Sequence, residues 1–242
     1  MKEPDQFLRM LATVLAIVMG GFLLMSLHFE VTIDANGTKH MSIDFTRERG
    51  DEHPAKTMRP SDDETEKLFD SNQKVEQAQK FFNNGKLKET IAFCNEALEL
   101  NPNNSMAYTF RGSAYFNMRE YRRALEDFNK AIELDDLNTL AYYNRGNTYE
   151  HLNNRTAAIA DFTKAIEFEP TAFEPYHYRG VSYANSGEYE KAIADYTKAI
   201  ELKPGNGESY HMRGNCRRFL GQKALADADY AKAKSLGFNG SK

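Results

Sequence analysis

The pattern of apolar and polar positions divides this chain of 242 residues into four segments. Residues 7–27 are apolar, and no charged side chain follows Arg9 within them. Residues 29–45 alternate between apolar and polar positions, and residues 46–70 are polar and charged. From residue 71 onward, apolar residues recur at the spacing of amphipathic helices. The pattern therefore predicts an apolar N-terminal segment, a short β region, a linker and a helical domain.

The first segment has the length of a membrane-spanning helix, because its 21 residues would extend about 31 Å. A cleaved signal peptide is the alternative, but the apolar run is long for one and no small-x-small cleavage site follows it. We therefore expect residues 1–28 to form a single uncleaved transmembrane anchor. Lys2 and Arg9 flank its start, and the positive-inside rule then predicts a cytosolic N-terminus with the helical domain on the periplasmic side.

The second segment, residues 29–45, predicts a β-hairpin. Asn36 and Gly37 separate its two alternating runs, and this dipeptide favours the type I′ turn, which needs positive φ at both central residues. The third segment, residues 46–70, contains too few apolar side chains to offset the entropy of ordering them. We therefore expect it to be a flexible linker.

The helical domain repeats itself at a fixed interval. Four segments align without gaps, AYTFRGSAY, AYYNRGNTY, PYHYRGVSY and SYHMRGNCR, and their glycines are spaced 34 residues apart. One further step towards the N-terminus reaches Ala78 in place of glycine. The domain at 71–240 therefore divides into five units, namely 71–104, 105–138, 139–172, 173–206 and 207–240.

Both the period and the recurring residues resemble the tetratricopeptide-repeat family. With positions numbered 1 to 34 in each unit, tyrosine occupies position 4 of units two to five, and alanine occupies position 27 of every unit. The resemblance implies an all-α fold, a right-handed α-solenoid of five helix-turn-helix units. The transmembrane helix and the short β-hairpin with its linker would precede it.

Small residues face aromatic ones in this pattern. Position 8 is glycine in units two to five, and position 24 is Phe or Tyr in the same units, so we expect the two helices of a unit to approach closely there. The turn between them falls at position 15, which is Gly or Asn except for Arg119. In unit five, Asp227 and Lys234 replace apolar residues of the earlier units, which predicts a polar capping surface.

A charged pair recurs with the same period. Position 7 is arginine and position 23 is aspartate in units two to five, and unit one has neither. We expect each pair to form a bidentate ion pair that joins the two helices of a unit or two adjacent units. This is a structural role and does not by itself indicate a binding site.

The resemblance implies that the first helices line a concave groove that binds another polypeptide. The candidate groove residues are Thr109, Ser113, Tyr143, Asn147, His177, Val181, His211 and Asn215. His177 and His211 share position 5, so a metal or pH-sensing pair is an alternative to an ordinary polar surface. Some family members clamp a C-terminal carboxylate with a set of Lys, Asn and Arg residues. That set is incomplete in this sequence, and we predict no such clamp.

No catalytic or phosphate-binding motif occurs in the sequence. Cys94 and Cys216 lack metal-ligand spacing, and the net charge of −4 gives no indication of nucleic-acid binding. We therefore expect a non-catalytic interaction scaffold at a membrane, with a protein or peptide partner and without cofactor, metal or nucleic acid. The alternatives are a cytosol-facing membrane receptor or co-chaperone-like adaptor, and a subunit whose partner carries the catalysis.

Overall fold

The structure is a computed structural model that describes residues 25–33, 39–47 and 62–240. The chain separates into two compact units, residues 1–58 and residues 59–242. In the first, strand β1 (Met25–Ile33) pairs with strand β2 (Lys39–Arg47) in antiparallel register. Antiparallel pairing satisfies the backbone N–H and C=O groups between the two strands.

The two strands extend beyond both ends of the segment 29–45. Phe29 lies opposite Ile43 in the register. The predicted turn at Asn36 and Gly37 falls outside the residues that the structure describes.

The prediction of a transmembrane helix in front of the repeats is wrong. Within residues 25–33, 39–47 and 62–240, no helix is long and apolar enough to cross a bilayer. Residues 25–27, the end of the predicted span, belong to β1 and pair with residues 45–47 of β2. Residues 7–24 lie outside the described part of the chain. The predicted single-pass localisation, with the repeats on the periplasmic side, is therefore not supported.

The second compact unit is helical throughout its regular structure. Its described residues form ten α-helices in five consecutive pairs, which confirms the predicted solenoid of helical repeats. The helices are α1 Asp62–Asn83, α2 Leu87–Leu100, α3 Ser105–Asn117, α4 Tyr121–Leu134, α5 Thr139–His151, α6 Arg155–Phe168, α7 Phe173–Asn185, α8 Tyr189–Leu202, α9 Gly207–Phe219 and α10 Lys223–Ser235.

Helix α1 begins earlier than the repeat pattern indicates. Residues 62–70 are helical, although they fall in the segment predicted as a linker. Asp63 stands in the first turn of this helix, where negative charge interacts favourably with the helix dipole. Lys67 donates to Asp63 at 2.7 Å one turn away. Local helix signals thus extend α1 without any need for a buried apolar face.

The turn inside each unit has the same backbone conformation in all five units. Position 15 has positive φ throughout, at Gly85, Arg119, Asn153, Gly187 and Gly221. Arg119, the exception in the sequence, therefore adopts φ 63° like the others. The Glu120 N–H donates to the Tyr115 carbonyl at 2.9 Å, which closes a Schellman turn at the end of α3.

The predicted contact between glycine and an aromatic ring is present in units two to five. A β-carbon added at position 8 would lie 2.8 to 3.0 Å from the ring at position 24, and these pairs are Gly112–Phe128, Gly146–Phe162, Gly180–Tyr196 and Gly214–Tyr230. In unit one, Ala78 and Cys94 occupy the two positions, and both are fully buried. The smaller thiol leaves room for the extra methyl group.

The solenoid curves towards its first helices. In residues 62–240, the first helices of neighbouring units contact one another, whereas the second helices of neighbouring units do not. Helices α1, α3, α5, α7 and α9 therefore form the inner face, and their partners lie outside. At the far end, Asp227 and Lys234 of α10 are exposed, as the predicted polar capping surface requires.

Candidate functional site

The recurring arginines fix the spacing of the helices that carry the inner face. Arg145 donates from Nε and Nη2 to the two carboxylate oxygens of Asp161, each at 2.8 Å. Its Nη1 donates to Asn129 Oδ1 of the preceding unit at 2.8 Å. The same three-residue arrangement recurs as Arg111–Asp127–Asn95, Arg179–Asp195–Thr163 and Arg213–Asp229–Thr197.

Each arginine thus joins both the helices of its own unit and two adjacent units. Asp161 is only 5% exposed, so the pair is largely removed from water. Burial lowers the pKa of Arg145, but the hydrogen bond and charge of Asp161 outweigh it and raise that pKa. The acceptor at position 25, such as Asn129, was not identified from the sequence, although a polar Asn or Thr recurs there with the same period.

Thr109, a predicted groove residue, belongs to an interface between units. It is fully buried, and Asn138 Nδ2 donates to its hydroxyl oxygen at 3.0 Å. The same amide donates to Ser105 Oγ at 2.7 Å, while Asn138 Oδ1 accepts from the Ala141 N–H at the start of α5. Asn138 therefore caps one first helix and binds the preceding one, and Thr109 is covered.

His177, a second predicted groove residue, is covered by the next unit. Its ring is 5% exposed, and Nδ1 lies 2.8 Å from Ser209 Oγ in α9. Desolvation lowers the pKa of His177, opposed by the charge of Glu208, whose carboxylate lies 3.9 Å from Nε2. His177 contacts the ring of Tyr196 in an edge arrangement. It therefore holds units four and five together.

Among the described residues, no contact joins His177 to His211 as the predicted pair requires. His211 packs against the rings of Tyr230 and Phe238, at centroid distances of 5.3 and 5.2 Å. In the described segments, no group of three or more His, Cys, Asp or Glu could hold a metal ion. Val181 is half-buried and packs against the cluster that contains Tyr196.

The remaining predicted residues of units two and three line one cavity. Ser113, Tyr143 and Asn147 border a concavity of about 340 Å³ on the first helices of units one to four. The other residues of its lining are Phe82, Phe110, Phe116, Asn117, Leu140, Asn144, His151 and Tyr178. We call this cavity the aromatic groove.

The aromatic groove has an aromatic floor and a polar rim. Tyr143 packs against Tyr178 and Phe162, at centroid distances of 5.7 and 6.2 Å. Burial raises the pKa of Tyr143, so its hydroxyl stays protonated and can donate at neutral pH. Asn144 donates to Ser113 Oγ at 3.0 Å and is engaged, whereas the Asn117 amide is exposed and has no partner in the described part of the chain.

His211 and Asn215 border a second cavity at the other end of the inner face. It measures about 530 Å³, and its lining also includes Arg218, Tyr230, Lys234, Phe238, Asn239 and Gly240. The Tyr230 hydroxyl donates to Asn215 Oδ1 at 2.9 Å. We call this the C-terminal cavity. The eight predicted residues are therefore divided between two cavities and the interior.

Comparison with protein families assigns the repeats. Two family profiles described as "Tetratricopeptide repeat" match the chain, one at 105–136, 139–172 and 173–206, and the other at 207–236. Together these matches span more than half of the chain. Among curated proteins, none matches the sequence.

Several solved structures share this helical arrangement. A crystal structure of MamA protein is 26% identical, with a TM-score of 0.61, and the match covers 69% of this chain and 91% of that one. YrrB, described as a TPR protein with an unusual peptide-binding site, is 22% identical with a TM-score of 0.59 and coverages of 72% and 91%. PilF of Pseudomonas aeruginosa is 14% identical, with a TM-score of 0.67 and coverages of 73% and 80%. At the lower identities of YrrB and PilF, the likeness shows the fold alone.

Proposed function

Because this chain belongs to the tetratricopeptide-repeat family, we propose that it is a non-catalytic scaffold whose aromatic groove binds an extended segment of another protein. The family and the solenoid support a role in protein–protein interaction. The crystal structure of YrrB, described as a TPR protein with an unusual peptide-binding site, supports the view that this fold can bind a peptide.

The observation that carries the proposal is the composition of the groove lining. The floor is aromatic and aliphatic, and among the residues that the structure describes, neither Asp, Glu, Lys nor Arg contributes to the lining. Leu140 and Tyr178 remain 39% and 38% exposed there, so apolar surface is available to a ligand. Such a lining favours apolar side chains of a partner, because their burial removes apolar area from water.

The rim supplies hydrogen bonds that an extended backbone needs. Asn117 and Asn147 each carry both a donor and an acceptor, which matches the alternating N–H and C=O groups of a peptide. They come from neighbouring units, on α3 and α5, so a peptide can be bound along the inner face.

A peptide selection tests the proposal. Short random peptides displayed on phage are selected on the full chain, and the enriched peptides are synthesised and titrated by fluorescence anisotropy. We expect enrichment of peptides with aromatic or aliphatic residues. The double variant Asn117→Ala/Asn147→Ala should bind them about thirtyfold more weakly, because two hydrogen bonds contribute about 1 kcal/mol each.

The control is a double variant on the outer helices, Arg122→Ala/Thr156→Ala, whose side chains are both exposed and outside the aromatic groove. It should bind with the affinity of the unchanged protein. The proposal fails if no peptide is enriched, or if the groove variant and the control bind equally well.

A further inference from the structure

The loop between units two and three departs from the other inter-unit loops at two neighbouring positions. Position 32 is proline in units one, three and four, but it is Asp136 in unit two. At position 33, Leu137 stands where those three units have Asn, Thr and Gly. The Leu137 side chain is 64% exposed, so it contributes little to the packing of its own unit. The repeat pattern therefore does not account for this residue.

Hydrogen bonds hold the loop so that it presents Leu137 beside acidic groups. The Leu137 N–H donates to Asp135 Oδ1 at 3.1 Å, and the Asn138 N–H donates to the Asp135 carbonyl at 3.2 Å. Asp136 is exposed and has no hydrogen bond or ion pair within residues 62–240. We call residues 135–137 the acidic loop, in which an apolar side chain follows two carboxylates.

An open hollow lies at the other end of α4, beside the turn that joins α3 to α4. It measures about 380 Å³, and its lining consists of Arg119, Glu120, Tyr121, Arg122, Arg123 and Leu152. Leu152 is 42% exposed, and the Tyr121 ring is stacked on His151 at a centroid distance of 5.1 Å, so both supply apolar surface in a fixed position. We call this the turn hollow. Among the described residues, it shares no lining residue with the aromatic groove.

The turn hollow carries unpaired positive charge. Arg123 is engaged, because it donates to Glu120 and to the Tyr115 hydroxyl, each at 2.7 Å. Arg119 and Arg122 are exposed, and neither has an ion pair in the described segments. The turn does not require the Arg119 side chain, because Gly or Asn forms the same turn in the other four units. Two guanidinium groups are therefore available beside an apolar surface.

The acidic loop and the turn hollow are complementary but cannot meet within one chain. One offers an apolar side chain beside carboxylates, and the other offers apolar surface beside guanidinium groups, which pair well with carboxylates. Helix α4 separates them, and its 14 residues extend about 20 Å. A second copy of this chain carries both features and so supplies the missing partner of each.

We infer that the acidic loop of one copy binds in the turn hollow of another. Leu137 lies against Tyr121 and Leu152 of the second copy, and Asp136 faces its two unpaired arginines. Burial of Leu137 removes apolar area from water, and the charges fix the register. Because different surfaces of the two copies meet, each pair leaves one loop and one hollow open, and further copies add head to tail. This contact goes beyond the proposed function and does not involve the aromatic groove.

Two surface variants of the full chain test this inference by sedimentation velocity. The loop variant, Asp136→Pro/Leu137→Asn, copies the residues of unit one at these positions. The hollow variant, Arg119→Asn/Arg122→Thr, copies those of unit three, whose Asn forms the same turn. We expect the unchanged protein to form larger species as its concentration rises. Each variant alone should self-associate at least about tenfold more weakly, because it lacks one side of the contact.

A mixture of the two variants gives the decisive measurement. The loop variant keeps its turn hollow, and the hollow variant keeps its acidic loop, so one complete contact is possible between unlike molecules. The equimolar mixture should therefore form dimers but no larger species. Raising the salt concentration should weaken self-association of the unchanged protein, because the charges at this contact are screened.

Two further variants control for net charge. Glu169→Gln/Thr171→Asn removes one negative charge from exposed positions in the equivalent loop of unit three. Arg218→Gln/Lys223→Gln removes two positive charges from exposed positions beside the equivalent turn of unit five. Both should self-associate as the unchanged protein does. Far-UV circular dichroism of all four variants should show the unchanged helical spectrum, since every altered side chain is exposed.

Several outcomes would overturn the inference. One is an unchanged protein that stays monomeric at every concentration. Another is self-association that persists in either surface variant alone, because a different surface would then join the copies. A mixture of the two variants that forms no dimer, or a control variant that loses self-association, would equally exclude the contact between loop and hollow.

Discussion

Gly146 faces the ring of Phe162 so closely that a β-carbon at Gly146 would lie 2.8 Å from Phe162 Cε1. This contact brings α5 and α6 together at the centre of the solenoid. In unit one, Ala78 and Cys94 take the same two positions. The side chain at position 24 is therefore large where position 8 is glycine, and small where position 8 is alanine.

Replacing Gly146 with alanine should lower the free energy of unfolding by about 1–3 kcal/mol, because the methyl group has no space beside the fully buried ring. Combining Gly146→Ala with Phe162→Cys reproduces the pair of unit one and should destabilise less than the sum of the two single changes. Urea unfolding of the four proteins measures the coupling. Strictly additive losses would contradict the size-matching argument.

The Arg145–Asp161 pair should be strongly coupled. Arg145→Ala leaves the buried Asp161 carboxylate without its partner, and we expect a loss of about 3–5 kcal/mol. The double variant Arg145→Ala/Asp161→Ala should lose less than the sum of the two single variants, as measured by a double-mutant cycle in urea.

The exposed pair Lys164–Glu167 on α6 provides the comparison. Its side chains are 52% and 51% exposed, so its coupling should stay below about 0.5 kcal/mol. Equal coupling in the two cycles would show that the buried arginine pair does not stabilise the repeats.

Two tyrosines at position 24 should respond in opposite directions to loss of the hydroxyl. The Tyr196 hydroxyl is buried without a hydrogen-bond partner among the described residues, since position 9 of its unit is Val181. Tyr196→Phe should therefore raise the free energy of unfolding by about 1 kcal/mol. Tyr230 donates to Asn215, and Tyr230→Phe should lower it by about 1 kcal/mol. Thermal and urea unfolding of both variants would show the difference, and a shift of the same sign would refute it.

The buried His177 should make stability depend on pH. Its pKa is lowered in the folded state from 6.5, so the unfolded chain binds a proton more readily. The stability that neutral His177 supports is therefore present above about pH 6.5 and is lost as pH falls towards the folded-state pKa. Variant His177→Asn should show a smaller loss of urea midpoint between about pH 8 and pH 5 than the unchanged protein.

His151→Asn is the control for that experiment, since His151 is exposed. This variant should keep the pH dependence of the unchanged protein. An unchanged pH dependence in His177→Asn would exclude the buried imidazole as its source.

The repeat pattern predicted the contacts inside a unit with high fidelity. Gly146 with Phe162 and Arg145 with Asp161 are both 16 residues apart, and each contact recurs in four units. These pairs depend only on two adjacent helices with a short turn between them. The turn itself was predicted by glycine and asparagine, and Arg119 adopts the same conformation because the hydrogen bonds around it enforce it.

Contacts between units were predicted less well. Thr109 and His177 fall at positions expected to face the groove, yet both are buried. Asn138, which caps the next first helix, binds Thr109, and Ser209 of the next first helix binds His177. The curvature of the solenoid decides which residues of an inner helix stay open, and it results from packing over several units. Asn129, the second acceptor of Arg145, was also missed, because this contact joins two units rather than the helices of one.

The sequence by itself determined the five helical units, because their small and aromatic residues recur with a period that only paired helices satisfy. It could not determine the conformation of residues 25–27, since an apolar run suits a helix or a strand equally well. Only pairing with β2, residues distant in sequence, places them in a strand. In the same way, the tertiary structure alone decided which inner positions remain open, because burial depends on neighbouring units rather than on local pattern.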